Sequence, residues 1–209
     1  MSLGELFDEP ADTRQELMGA TYRALCEHGY AELTIQRISD QFPKSKSLLY
    51  HHYDSKDELL IDFLSFVLDH LESTTPQGDD DPLEALQRLL EYLLPTEPST
   101  EQQQFRRAII ELRAQAASNP EYQAQFTRST NYFENRFASI IEHGSQEGVF
   151  RPVDADRLAT LIVATVDGAM LREATTDPDH VQPAMSRLRA ELIDYVERRL
   201  VDAEREGTE

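Results

Sequence analysis

The sequence has very little cysteine and no long hydrophobic run. Cys26 is the only cysteine among 209 residues, which excludes an internal disulfide and a cysteine-based metal cluster. The longest apolar stretch, 59–68, contains Asp62 and is too short to span a bilayer. The first ten residues carry acids and no apolar run, so we expect no secretory signal. These absences predict a soluble, cytoplasmic protein without a membrane partner.

Positive charge is also scarce, and it is unevenly placed. Asp and Glu number 39 against 20 for Lys and Arg, a formal net charge of −19. The only lysines are Lys44, Lys46 and Lys56, and the segment 13–60 holds six basic and seven acidic residues, so the excess of acid lies elsewhere. Acidic surfaces keep proteins soluble at high salt. We therefore infer a halophilic host, with an ordinary acidic cytosolic protein as the alternative.

Helical periodicity runs along the chain, without a hairpin turn or a period-two run, and predicts an all-α fold of about nine helices. A last helix is expected from about 183 to 203. The polar stretch 74–82 (TTPQGDDDP) predicts a linker between a domain at 10–72 and a larger domain at 73–209. Helix-start signals occur at Thr13-x-x-Glu16, Thr34, Ser45, Ser55-x-x-Glu58, Asp81-Pro82, Asn119-Pro120 and Asp154, and helix-stop signals at Gly29, Pro95 and Gly148.

The segment 33–60 (LTIQRISDQFPKSKSLLYHHYDSKDELL) predicts two short helices joined by a tight turn, with a helix on either side. That order is typical of a helix-turn-helix unit, which places its second short helix in the major groove. The segment resembles the TetR (AcrR) family signature without a gap. The matching positions are Thr34, Ile35 and Ile38 in the second helix, Ser45, Leu49, Tyr50 and Tyr53 in the recognition helix, and Ser55, Lys56 and Asp57 in the fourth.

This resemblance implies an N-terminal three-helix helix-turn-helix domain followed by a C-terminal helical ligand-binding and dimerisation domain. Chemistry supports contacts to double-stranded DNA at the same positions, because helix N-termini and cations attract phosphate and Lys46 is able to reach a guanine edge. Ile38, Leu49 and Tyr53 are expected in the core instead. The candidate DNA-binding residues are Thr34, Gln36, Lys44, Ser45, Lys46, Ser47, Leu48, Tyr50, His51 and Lys56.

The signature departs from the family at three places. The turn carries Phe42-Pro43-Lys44 where the family has small residues and a glycine, Ser39 replaces an alanine, and Ser47 replaces a glycine. Pro43 fixes φ near −65°, so a positive-φ turn is not available there. We expect a different local shape for this turn.

The larger domain contains two helices suited to a subunit interface. Paired across a two-fold axis, they would form a four-helix bundle; the alternative is packing within one chain. The segment 161–172 (LIVATVDGAMLR) also resembles, weakly, the C-terminal part of BetI-like members, which does not imply choline or betaine as ligand. The candidate dimer residues are Leu158, Leu161, Ile162, Thr165, Gly168, Ala169, Leu188, Leu192 and Val196.

A ligand pocket is expected among the middle helices, where aromatic and apolar side chains accompany Arg113. Core packing is the alternative for most of them, and Arg113 pairs with an anionic ligand or with an internal acid. The candidate pocket residues are Tyr92, Phe105, Ile109, Arg113, Phe126, Tyr132 and Phe133.

These features predict a homodimeric repressor that a small-molecule effector releases from a palindromic operator. The sequence contains no glycine-rich phosphate loop, no nucleophile elbow and no His/Cys cluster, so we expect no enzyme, no cofactor and no metal. Because neighbouring residues on a helix point about 100° apart, His51 and His52 do not form a metal pair. The alternatives are a helical enzyme or small-molecule carrier, and a regulator-like helical protein that lacks DNA binding and acts through protein partners.

Overall fold

The computed structural model of the chain describes residues 4–44, 46–74 and 81–201, and it is built from helices. Over these ranges there is no β-strand, which confirms the all-α prediction, and no helix has the length and apolarity that a bilayer crossing requires. A short 3-10 helix, Gly4–Phe7, comes first. The α-helices are α1 (Thr13–Glu32), α2 (Ile35–Asp40), α3 (Lys46–His52), α4 (Lys56–Thr74), α5 (Pro82–Leu93), α6 (Thr100–Gln115), α7 (Pro120–Gln146), α8 (Ala155–Thr175) and α9 (Pro178–Leu200).

Most helices begin where the capping residues predict. Thr34 accepts a hydrogen bond from the Arg37 N–H at 3.2 Å, and Asp154 accepts one from the Arg157 N–H at 3.0 Å. Asp81 accepts from the Leu83 N–H at 2.9 Å, with Pro82 as the first helical residue. Each cap satisfies a main-chain donor that has no partner inside the helix.

Two predicted helix starts are wrong. The cap of α1 is Asp12, whose carboxylate accepts from the Gln15 N–H at 2.8 Å, so Thr13 already lies inside the helix. The last helix begins at Pro178 after the cap Asp177, and Pro183 lies inside it. In both cases an aspartate one or more residues upstream provides a cap, and at α9 the following proline has the fixed φ that suits a first helical turn.

The predicted stop at Gly29 appears as a break within α1. Gly29 has φ 65° and ψ 172°, a left-handed conformation that favours glycine, and the helical turns resume as far as Glu32. Gly148 has φ 71° just beyond the end of α7, as a helix-terminating glycine should.

The described helices form two compact units. The first contains α1 to α4, α6 and α7 as far as Thr127, and the second contains α5, α7 from Arg128 onward, α8 and α9. Each unit has its own apolar core. The division differs from the predicted boundary near residue 72 in one respect: α6 and the start of α7 pack with the N-terminal helices. The ranges 10–72 and 73–209 stay a prediction of how the sequence is organised.

Candidate nucleic-acid interface

The two short helices of the predicted motif are anchored by their apolar faces. Ile38 of α2 and Leu49 of α3 are completely buried in the core of the first unit. Tyr53, directly after α3, packs against the same core. These three side chains therefore take the core positions expected from the sequence, and the opposite face of each helix is left towards solvent.

Most of the predicted DNA contacts are exposed, either on that face or directly beside the two helices. Tyr50 of α3 is 54% exposed, the largest value among the exposed large hydrophobic residues. Ser45 lies outside the described residues, as does the side chain of Lys46. Leu48 differs from the prediction, because it is half-buried and packs against the first core. The remaining exposed candidates are Thr34, Gln36, Lys44, Ser47 and His51.

Residues 41–44, the described part of the turn between α2 and α3, include no left-handed residue. Phe42 is buried in the first core, and its N–H donates to the Ser39 carbonyl at 3.2 Å. Among the described residues only Gly29 and Gly148 have positive φ. The ring of Phe42 thus anchors the turn, and a proline is compatible with it because no described residue there has a positive φ.

Lys44, in the same turn, is paired with α1. Its ammonium lies 2.6 Å from the Glu16 carboxylate and 2.5 Å from the Thr13 hydroxyl. The pair is partly exposed, so Lys44 remains at the edge of the candidate interface. In the free protein its charge is partly neutralised by Glu16.

Lys56 does not have the role predicted for it. Its ammonium donates to the carbonyls of Tyr30 at 3.0 Å and Leu33 at 3.2 Å, and lies 4.1 Å from the centroid of the Tyr30 ring. These contacts hold the corner between α1 and α2 against the start of α4. We therefore correct the predicted phosphate contact of the Lys56 side chain to an internal one.

A link between α1, α3 and α4 was not predicted. The Asp62 carboxylate accepts from the Arg14 guanidinium at 2.6 Å and from the Tyr53 hydroxyl. Burial, together with the hydrogen bond to Asp62, raises the pKa of Tyr53 well above its usual value, so the phenol remains a donor. In the sequence, the charge of Asp62 within an apolar run is the available signal for a polar partner at this place.

The predicted pocket residues fall into both units. In the first unit, Phe105 packs between Tyr22 and Phe63, with ring centroids 5.1 and 6.3 Å away. The Arg113 guanidinium carbon lies 5.0 Å from the centroid of the Phe126 ring. Ile109 also packs against this core. For Phe105, Ile109 and Phe126 the structure favours the alternative, which is core packing. The partner predicted for Arg113, an anionic ligand or an internal acid, stays a prediction.

The other three predicted pocket residues belong to the second unit. Tyr132 and Phe133 are neighbours on α7 with ring centroids 5.1 Å apart, and Phe133 packs against the second core. Tyr92 on α5 is 43% exposed. The effector pocket stays a prediction, and these three residues are the candidates that remain for it.

Five of the predicted dimer residues are covered by their own chain. These five side chains are buried in the second core, where residues of the same protomer surround them: Leu158, Ile162, Ala169, Leu192 and Val196. Leu188 packs against that core too. For these six residues the structure favours the alternative, packing within one chain, and their assignment to the subunit interface stays a prediction. Leu161 and Gly168 are exposed on α8, and Thr165 is half-buried.

No metal centre is formed by the residues that the structure describes, since no three His, Cys, Asp or Glu side chains come together there. The rings of His51 and His52 have centroids 5.6 Å apart at an interplanar angle of 65°. Both rings are exposed at the end of α3, where they extend the polar face that begins with Ser47.

Comparison with known proteins gives matches to both halves of the chain. Residues 17–63 match the family described as bacterial regulatory proteins, tetR family, and residues 82–201 match the BetI-type transcriptional repressor C-terminal family. The crystal structure of a TetR transcription regulator from Haloarcula marismortui ATCC 43049 is 34% identical, with a TM-score of 0.78. That match covers 91% of this chain and 99% of the other.

Two further relatives are more distant. The HTH-type transcriptional repressor AcnR of Corynebacterium efficiens is 22% identical over 80% of this chain and 85% of its own length. A putative transcriptional regulator from Saccharomonospora viridis, solved in complex with choline, is 24% identical with a TM-score of 0.71, and the match covers 90% of this chain and 97% of the other. At that level of identity the second match shows a common fold.

The helix-turn-helix geometry and these matches define a helical DNA-binding regulator. The chain belongs to the TetR family. It is a DNA-binding transcriptional repressor and not an enzyme, with an N-terminal helix-turn-helix and a C-terminal helical domain.

Proposed function

We propose that the protein is a cytoplasmic homodimer that binds a palindromic operator and leaves it when a small-molecule effector binds. The observation that supports operator binding is the exposed polar face of α3, which includes Tyr50. Helix-turn-helix dimers read two half-sites, so a two-fold protein implies a two-fold operator. The contacts proposed there are Thr34, Gln36, Lys44, Ser47, Tyr50 and His51, together with Ser45 and Lys46.

An exposed stripe on α8 supports the dimer. Leu161 and Leu171 are 45% and 50% exposed, and Ala164 and Gly168 lie exposed between them at helical spacing. A Cβ added at Gly168 would meet nothing within 4 Å in its own chain. Because intrachain packing does not require this glycine, its small size suits the close approach of a partner helix.

Selection of duplexes from a random library by the purified protein tests operator binding. We expect enrichment of one sequence with two-fold symmetry, together with a dimer mass in solution. The Leu171→Glu variant should become a monomer, whereas Ala124→Glu, at an exposed position of the first unit, should stay dimeric. A folded dimer that enriches no sequence would favour the alternative, a regulator-like protein that acts through protein partners.

The acidic composition supports a further part of this proposal, adaptation to high salt. At molar salt, counterion release contributes little to DNA affinity. Base contacts and cations between carboxylates and phosphates must then carry the affinity. Measured at moderate and at molar potassium chloride, the affinity for the selected duplex should change little or increase. A steep loss of affinity with added salt would contradict this.

A further inference from the structure

Tyr30 lies at the end of α1, one residue after the break at Gly29, where the interrupted helix leaves main-chain groups without helical partners. Its N–H donates to the carboxylate of Glu111 on α6 at 2.7 Å. Its carbonyl accepts from the Lys56 ammonium of α4. The main chain of this one residue is therefore held by two other helices.

The side chain of Tyr30 is held as well. Its hydroxyl donates to Asp57 Oδ1 at 3.1 Å, and the same oxygen accepts from the hydroxyl of Tyr122 on α7 at 2.9 Å. The two rings meet edge to face with centroids 6.5 Å apart, and Tyr122 is only 1% exposed. Glu111, Tyr122 and the start of α4 thus converge on Tyr30.

Two observations indicate that this arrangement needs a glycine at position 29, one from the backbone angle and one from the space around it. Its φ of 65° is unfavourable for residues with a side chain, and a Cβ at this position would lie 2.9 Å from Glu111 Oε2. A side chain at position 29 would therefore occupy the space through which α6 reaches the main chain of α1.

The corner between α1 and α2 connects Tyr30 to the DNA-facing helices. Thr34, four residues further on, caps α2, and the Leu33 carbonyl between them accepts from Lys56. Because α2 has six residues and α3 seven, neither helix is long enough to be stable alone. Burial of Ile38 and Leu49 anchors them in the core, and the contacts that hold this corner add to what fixes their orientation.

We propose that Glu111 and Tyr122 are positioning residues for operator binding, which hold α2 and α3 in the DNA-binding arrangement through Tyr30. The inference rests on the proposed operator binding. Both residues act from helices outside the helix-turn-helix. By thermodynamic reciprocity, DNA that selects this arrangement must in turn stabilise the contacts of Glu111 and Tyr122.

The test compares variants that remove one contact with a variant that keeps it. Tyr122→Phe removes only the hydroxyl, Glu111→Met removes the acceptor for the Tyr30 N–H, and Glu111→Gln retains an acceptor oxygen. Glu121→Gln, on the exposed side of α7, is the matched charge control. Fluorescence anisotropy measures the affinity of each for the library-selected duplex and for a scrambled duplex.

We expect Tyr122→Phe and Glu111→Met to bind the selected duplex about three- to tenfold more weakly, the range that a single net hydrogen bond provides. Binding to the scrambled duplex should be unchanged, and Glu111→Gln and Glu121→Gln should bind like the wild type. An equal loss on both duplexes, or an equal loss in Glu111→Gln and Glu111→Met, would overturn the proposal.

Hydrogen exchange of the free protein provides a readout that needs no DNA. Faster amide exchange in α2 and α3 of Tyr122→Phe and Glu111→Met, with unchanged exchange in α8, supports the positioning role. Unchanged exchange in α2 and α3 overturns it. If the wild type selects no duplex, the proposed operator binding fails, and this measurement still decides whether Glu111 and Tyr122 position the two helices.

Discussion

Both units have a continuous apolar core, but the first unit adds polar side chains that each tie several elements together. Asp62 joins three elements through Arg14 and Tyr53, and Asp57 joins Tyr30 to Tyr122. In the second unit, a large set of side chains from α5, α7, α8 and α9 packs into one cluster. Among its polar links, Arg189 of α9 bonds to Glu91 and to the Leu94 carbonyl at the end of α5.

Helix length distinguishes only the two short helices of the first unit, because α1 and α4 there have 20 and 19 residues. α7, α8 and α9 have 27, 21 and 23 residues, so each presents several turns of apolar surface and hydrophobic burial suffices. α2 and α3 have one to two turns each and one solvent-facing side. Burial of Ile38 and Leu49 anchors these two helices, and hydrogen bonds at the neighbouring corner and at Tyr53 add direction.

The largest expected effect is in the second core. Phe137 is completely buried there, so Phe137→Ala should lower the free energy of unfolding by about 3–5 kcal/mol through lost burial and the cavity left behind. Chemical denaturation at fixed protein concentration measures this. Ser139→Ala, at an exposed position two residues further along the same helix, is the control. A loss below about 1 kcal/mol would show that the core is not as well packed as described.

A smaller effect is expected where the first unit depends on polar ties. Asp62→Ala removes the acceptor for Arg14 and Tyr53 and should cost about 1–2 kcal/mol. We expect the lower end of this range, because the Arg14 and Asp62 side chains are 50% and 30% exposed and water screens their interaction. Asp8→Ala, an exposed acid of the same unit, should change stability little. If both variants lost the same free energy of unfolding, the hydrogen bonds of Asp62 would not contribute to stability, and the polar ties would not distinguish the first unit from the second.

The fold class was predictable because helix caps and periodicity are local properties. Thr34, Asp81 and Asp154 cap helices where the sequence indicates. The start of α9 was missed because Pro183 resembles a first-turn proline, and the stronger combination of Asp177 and Pro178 lies upstream. The outward and inward faces of α3 were also predictable, apart from Leu48, since their pattern follows directly from helical spacing.

The polar contacts that hold the motif were not predictable. Lys56 was expected at phosphate, but it bonds to carbonyls 23 and 26 residues earlier in the chain. Tyr122 and Glu111 meet the N-terminal helices across 65 and 81 residues. Sequence periodicity reports which face of a helix is apolar, and it carries no information on which distant residue meets a given polar atom.

Substitution of Ser39 should increase stability, whereas the substitutions of Phe137 and Asp62 should decrease it. It is 4% exposed, and its hydroxyl lacks a hydrogen-bond partner among the described residues. Ser39→Ala, the residue that the family resemblance favours, should raise the free energy of unfolding by about 1 kcal/mol, because it removes a buried unsatisfied hydroxyl. Thermal and chemical unfolding both report this. A decrease in stability would indicate that the hydroxyl has a partner.

The smallest expected effect concerns Cys26. Burial raises the pKa of its thiol from 9.0 to about 12, so the folded state favours the protonated form. The resulting stabilisation is present below pH 9 and is lost as the pH rises towards 12. The native protein should therefore resist alkylation at pH 9 while the unfolded chain reacts. Rapid labelling of the native protein would contradict the raised pKa of this half-buried thiol.

The central claim is that the exposed face of α3 in the first unit reads DNA and that the second unit does not. Fluorescence anisotropy with the library-selected duplex tests it by comparing Tyr50→Ala with Tyr92→Ala, two exposed tyrosines from different units. Tyr50→Ala should weaken binding about tenfold or more, in line with the loss of a base or sugar contact. Tyr92→Ala should bind as the wild type does. Full affinity in Tyr50→Ala would contradict the account.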